Sequence, residues 1–167
     1  MEQKLEQTTL EQEQAFQAVI EHVINYTKSD QGSGIMKQMQ PRFVSCNLAQ
    51  KEITIAYQVE EWELNPQGSM HGGLLCAAFD NAFGMITHYF AEDNFITTVD
   101  LATRFLKPIP MGSELTITVK VRSNGRTLVS LTGEAYVNQE LLAATSSSTF
   151  MILRGKKTQI NNLKIQN

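Results

Sequence analysis

Residues Gly72 to Phe90 read GGLLCAAFDNAFGMITHYF. Apolar side chains fill almost every position, too many for the single stripe of a surface helix. A helix that is apolar nearly all round has to be enclosed by other elements. A membrane span would need ~20 consecutive apolar residues, and no run in the chain reaches that length. The fold must therefore supply a layer that surrounds one helix.

The flanking sequence supplies it. Val44, Cys46 and Leu48 alternate with other residues, and so do Ile53, Ile55, Tyr57 and Val59; the short AQK link between them predicts a hairpin. After the helix, Val99, Leu101, Thr103 and Phe105 alternate with Asp100, Ala102 and Arg104. Leu115, Ile117, Val119 and Val121 do the same with Thr116, Thr118, Lys120 and Arg122. SNGR (Ser123–Arg126) carries an Asn-Gly turn signal. TLVSLTGEAYV and LLAATSSSTFMIL read as two more strands joined by NQE. At the start of the chain, Phe16, Val19, Ile20, Val23 and Ile24 give one apolar face to a helix over Thr9–Lys28. SDQGSG (Ser29–Gly34) ends it. The order is helix, two strands, long apolar helix, four strands. The class is α+β, an antiparallel sheet curled around a buried helix, with one wet and one dry face. Three segments follow: an N-terminal helix and loop over 1–34, the sheet-and-helix domain over 35–155, and a polar tail over 156–167.

Composition narrows the function. The net charge is −3 and the sequence pI near 5.6, which does not suit a nucleic-acid binder with its basic stripe. The first residues, MEQKLEQTTLEQEQ, hold no apolar signal core. Cys46 and Cys76 have no CxxC partner, so neither a zinc site nor a redox pair is expected. The expectation is a cytoplasmic protein with reduced thiols, no metal and no bound cofactor.

Asp80 stands out against this background. It lies inside the helix, away from either cap, and burying an unpaired carboxylate costs several kcal/mol. Either it accepts hydrogen bonds from a neighbouring strand, or it lines a polar pocket as a general base or nucleophile. The HGG just before the helix exposes backbone N–H groups at the positive end of the helix dipole, which suits a developing oxyanion. Asp80 follows His71 by nine residues. At ~100° and ~1.5 Å per residue it sits roughly 180° round and about 13 Å along the helix. One chain's Asp80 does not easily reach a group held by its own HGG, so a shared site would be built from two chains related by a two-fold axis.

The motifs N-P-x-G-x-x-HGG with Asp80, then TVDLATRFLKP, then NGRTL, resemble the hotdog-fold acyl-CoA thioesterases. The nearest subgroup is the phenylacetate-degradation (PaaI-like) / thioesterase superfamily member 2 type. The resemblance covers residues 41 to 153. It implies a hotdog fold, a curved antiparallel sheet wrapped around a long central helix. It implies dimers, often paired into tetramers, with active sites at the dimer interface. By position, Asp80 matches the catalytic carboxylate, and Gly73 and Gly72 match the backbone donors to the thioester oxygen. His71 matches a residue that positions that loop or contacts the thioester. Asn65 matches the residue that orients the water or the carbonyl, and Thr98 the hydroxyl that helps hold the water. Coenzyme A would lie against Phe105, Lys107 and Pro108 and against Asn124, Gly125, Arg126 and Thr127. Coenzyme A is then part of the substrate, not a cofactor.

Other residues read as structural. His22 is expected at the surface, His88 at a helix end where its charge suits the dipole, and Cys76 as an inert core thiol. Trp62 and the phenylalanines read as core or acyl-pocket lining. The first helix would cap the sheet or cover the acyl channel. Three rivals remain: a hotdog dehydratase or hydratase acting on an acyl thioester, a non-catalytic acyl-CoA sensor, and a purely structural hotdog, against which Asp80 speaks.

Overall fold

The computed structural model describes residues 2–32, 34–158 and 160, with side chains at residue 7 and from residue 9 onward. Most of the expected tail over 156–167 lies outside the described residues. The elements are α1 (Glu2–Lys28), α2 (Gly34–Met39), β1 (Arg42–Asn47), β2 (Glu52–Gln58), α3 (Gly72–Ala91), β3 (Asn94–Phe105), β4 (Glu114–Asn124), β5 (Leu128–Val137) and β6 (Leu141–Lys157). A 3-10 turn covers Glu61–Glu63.

The six strands form one antiparallel sheet in the order β1-β2-β4-β5-β6-β3. Short links make hairpins of β1/β2, β4/β5 and β5/β6. Between β2 and β4 the chain leaves the sheet to form α3 and then β3, which returns on the far edge beside β6. The sheet is thus built around α3, as the apolar helix required. Phe79, Ala82, Phe83 and Ile86 of α3 are fully buried. They meet Ile53, Ile55 and Tyr57 of β2 and Leu115, Ile117 and Val119 of β4 in one hydrophobic core. The buried Tyr57 hydroxyl donates to the Ala78 carbonyl at 3.1 Å, which ties helix to sheet.

Gly133 on β5 shows how closely the two layers approach. A Cβ there would lie 3.1 Å from Cε1 of Phe79 and 3.1 Å from Cγ1 of Val119. Any side chain at 133 therefore crowds Phe79 of α3 and Val119 of β4, which must give way to admit it. Gly133→Val is expected to lower unfolding free energy by about 1–3 kcal/mol, read as a lower urea midpoint at unchanged slope.

Three expectations are corrected. The β3 side chains do not form a dry face within one chain, since Val99 is 53 % and Phe105 57 % exposed. β3 is the sheet's edge, so half of its surroundings are missing. In β1, a register shift between Phe43 and Ser45 turns Val44 outward. His22 is not at the surface: it is half-buried, and its Nε2 lies 2.7 Å from the Ile160 carbonyl oxygen.

The first helix packs across β1 and the C-terminal half of α3. Phe16 is fully buried and meets Tyr89 edge-on at 4.7 Å. Both Glu13 carboxylate oxygens accept from the Leu48 N–H, at 3.0 and 2.9 Å. Among the described residues no helix is long and apolar enough to cross a membrane.

Candidate active site

The loop before α3 is built to present the helix start. Asn65 Oδ1 accepts from the N–H of Gln67 at 2.9 Å and of Ser69 at 3.3 Å, and its Nδ2 donates to Ser69 Oγ at 3.1 Å. Gly68 supplies the left-handed turn inside this knot, with φ +78°. The Glu63 carbonyl then accepts from the His71 N–H at 2.7 Å, which fixes where the helix begins. His71 is the N-cap, and its Nδ1 accepts from the Gly73 N–H at 3.0 Å. This places the ring proton of a neutral His71 on Nε2. The Gly73 donor is therefore occupied by the His71 ring. The Gly72 N–H has no hydrogen-bond partner among the described residues.

A cleft of about 330 Å³ opens beside this helix start. Asn65, Ser69, Gly72, Phe105, Lys107 and Pro108 are among its lining residues. The Phe105 ring explains the glycine at 72: a Cβ there would lie 3.2 Å from two of its ring carbons. Five of the residues picked out by sequence thus meet in one place, namely Asn65, Gly72, Phe105, Lys107 and Pro108.

Asp80 is elsewhere on the helix. It is half-buried, and its Oδ1 accepts from the Thr98 hydroxyl at 2.8 Å. None of the ion pairs among the described residues involves it. The structure therefore joins Asp80 to Thr98, as the expected neighbouring-strand contact, and leaves both near the outer edge of β3. Asn124, Gly125, Arg126 and Thr127 form the exposed β4–β5 turn and lie apart from the cleft at the helix start.

Sequence reading passed over Glu63. It is buried at 1 % exposure, its Oε2 accepts from the Glu60 N–H at 2.8 Å, and its Oε1 has no hydrogen-bond partner among the described residues. Burial pushes its carboxyl above the usual range. The signal was an acid between Trp62 and Leu64, two apolar neighbours. Trp62 itself is 45 % exposed and is not core.

His88 also departs from expectation. It is buried, and burial pushes its imidazole down to about 4. Desolvation outweighs the attraction of the helix end, so the ring is neutral at neutral pH. An unfolded chain takes up this proton near pH 6.5 and the folded chain only near 4. Stability therefore falls as pH drops through that window, by up to about 3 kcal/mol from this group. His88→Gln is expected to flatten that part of the curve, measured by urea unfolding between pH 7 and 4 against wild type.

A single curved sheet holding one long helix, with a glycine-rich helix start at its mouth, defines a hotdog-fold protein. The thioesterase superfamily model matches residues 67–144, from the loop before α3 into β6. The mouse protein acyl-coenzyme A thioesterase 13 is 25 % identical over 111 residues, covering 66 % of this chain and 74 % of that one. The PaaI protein of the Escherichia coli phenylacetic acid degradation operon has the same fold, with TM-score 0.65 at 23 % identity over 73 % of this chain and 86 % of that one. A Streptococcus mutans protein solved bound to acetyl-CoA superposes with TM-score 0.62 at 20 % identity, over 71 % and 91 % of the two chains. These solved structures share the hotdog fold of this chain, and its similarity in sequence is to thioesterases. Among the described residues no group of three or more His, Cys, Asp and Glu is placed to hold a metal.

Proposed function

We propose that this chain hydrolyses acyl-CoA thioesters to a free acid and coenzyme A. Thioester hydrolysis is the chemistry of the matching family and of the named mouse relative. The observation that carries the reading is Asp80: a carboxylate inside an apolar helix, turned to the sheet edge and held by Thr98 rather than neutralised by a cation.

The chemistry needs a base, a carbonyl site and room for a leaving thiol. As base, Asp80 takes a proton from water held beside Thr98 while the oxygen attacks the thioester carbon. The tetrahedral oxyanion is met by the N–H of Gly72, and by that of Gly73 once the His71 ring turns away. Collapse breaks the carbon–sulfur bond, and the Asp80 carboxyl returns the proton to the thiolate. Direct attack by Asp80 would give a mixed anhydride instead. Solvent oxygen-18 incorporated into Asp80 during a single turnover would mark that route.

The two half-sites stand at opposite ends of one unpaired strand edge. Asp80 and Thr98 mark one end of β3, and Phe105 with Gly72 the other. A second copy laid antiparallel along β3, centred between Leu101 and Ala102, sets Thr98 opposite the partner subunit's Phe105. That pairing also covers Val99 and Phe105, both exposed in the single chain. It completes two equal sites per dimer, with each Asp80 serving the partner's helix start.

The test is release of free coenzyme A from aryl, short, medium and long acyl-CoAs. Hydrolysis of any member supports the reading. Binding of acyl-CoA without release favours a sensor, and a dehydrated or hydrated acyl product favours a hydratase. For the shared site, Asp80→Asn and Gly72→Val chains are mixed after partial unfolding. Activity is expected to return to roughly a quarter of wild type, the share of complete sites in a random mixture of pairs. No recovery, with both variants folded and dimeric, places the site within one chain.

A further inference from the structure

The turn of α3 that follows Asp80 is left open. Between Ala78 and His88 every residue of the helix is buried except Asp80 and Gly84. Gly84 comes four residues after Asp80, so the two share a face about 6 Å apart along the axis. A glycine inside a helix is a cost, since only proline forms helix less readily. Close packing explains the glycines at 72 and 133, where an added Cβ lies 3.2 and 3.1 Å from a neighbour. It does not explain Gly84. A Cβ there meets only Cε1 of Phe150, at 3.8 Å, which is ordinary contact. Alanine would fit and would hold the helix better, so the packing of the single chain does not account for the bare turn.

The facing sheet points to an occupant. Thr98, which donates to Asp80, pairs with Phe150 of β6, the residue that Gly84 faces. Ile96 stands two residues before Thr98 on the same face of β3 and pairs with Ile152. Phe150 and Ile152 are buried, and Ile96 packs against the core. A carboxylate and a hydroxyl thus border an apolar wall within one turn of the helix. A thioester changes character in the same order, from a polar carbonyl to a hydrocarbon chain. When water held at Asp80 attacks that carbonyl, the next carbons of the acyl group run over the Gly84 backbone, against the edge of the Phe150 ring.

We infer that Gly84 is a specificity-determining residue of this site and admits apolar acyl groups that extend beyond acetyl. The inference rests on the hydrolase reading above and adds the class of acyl group. Acetyl has one carbon beyond its carbonyl and does not cross the open turn. In a longer chain, each methylene laid between the Gly84 backbone and the Phe150 ring leaves water, which is worth roughly fourfold in binding. Two of them give a preference of roughly tenfold. A side chain at 84 would take up the same space.

The experiment compares octanoyl-CoA with acetyl-CoA for wild type, Gly84→Ala and Gly84→Leu, by thiol release and by urea unfolding. Wild type is expected to favour octanoyl by roughly tenfold in kcat/KM. Gly84→Ala is expected to raise the urea midpoint, because alanine is the better helix former and its methyl group has room. It is also expected to cut the octanoyl-over-acetyl ratio about fourfold, and Gly84→Leu to erase the preference. A merely structural glycine would not yield a stabler protein with a narrower substrate range. A wild type without octanoyl preference overturns the inference, and so do variants that fold like wild type and keep its ratio. A Gly84→Ala chain that no longer self-associates as wild type does overturns it too, because the open turn then belongs to a second copy. If wild type hydrolyses neither ester, the hydrolase reading falls separately. Acyl specificity is then judged by calorimetry with the same two ligands. An octanoyl preference lost in Gly84→Leu upholds the inference, and equal wild-type affinities or a preference kept in Gly84→Leu overturn it.

Discussion

Asp80→Asn is expected to lower acyl-CoA turnover by about 10²–10⁴-fold, the range supplied by a positioned general base. The substitution keeps shape and keeps an oxygen that can accept from the Thr98 hydroxyl, so the local fold should hold. It removes the group that accepts water's proton, or the attacking oxygen in the covalent route. Binding of acyl-CoA should therefore persist while release of coenzyme A stops. Thr98→Ala is expected to do less, because that hydroxyl orients the carboxylate and the water without itself changing bonds. The check is kcat for thiol release, with circular dichroism and the urea midpoint run in parallel. Asp80→Asn turnover within tenfold of wild type, in a protein that unfolds like wild type, removes Asp80 from the chemistry.

What was legible in the sequence follows from which forces leave a local trace. The buried helix was legible because enclosure demands apolar residues all round it. Ile53, Ile55, Tyr57 and Leu115, Ile117, Val119 were legible because a central strand's dry face repeats every second residue. Val99 and Phe105 repeat in the same way, yet they stand exposed in one chain. Period two records that a face is covered and not by what, and the second copy proposed above would cover these residues. The short helix α2, within Gly34–Met39, left too few residues to show a period.

The site was legible by residue type more than by contact. HGG marked a helix start, but whether the Gly73 N–H points at substrate or at the His71 ring is decided by one side-chain torsion. Asn65 was read as orienting a water or a carbonyl. In the structure its amide is spent on Ser69 and Gln67, shaping the loop. Glu63 was missed because its importance lies in burial and in a backbone carbonyl, neither of which residue identity announces. Gly84 was passed over because a lone glycine in an apolar helix reads as filler, and the room around it shows only once Phe150 is in place.

Phe79→Ala is expected to cost about 3–5 kcal/mol of unfolding free energy, the range for losing a large buried aromatic. The Phe79 ring is wholly buried, lies 6.0 Å from the Phe83 ring at an interplanar angle of 22°, and presses on the sheet at Gly133. Nothing small fills that space: Gly133 has no side chain to move in, and Val119 is already in place on the other side of it. The cavity therefore stays open, and collapse recovers little. Against a total of about 5–15 kcal/mol, the loss is a large fraction of what holds the domain together. In a chain of this size it should lower Tm on the order of 10 °C. The functional consequence follows from adjacency. Phe79 precedes Asp80 on the helix, so an open cavity beneath that turn loosens the hold that keeps the carboxylate against Thr98. Activity at low temperature, where the variant is still folded, should then fall by less than in Asp80→Asn but should not be spared. A cost below about 1 kcal/mol would mean that helix and sheet repack freely at this point, and the close approach at Gly133 would not be the clamp that positions Asp80.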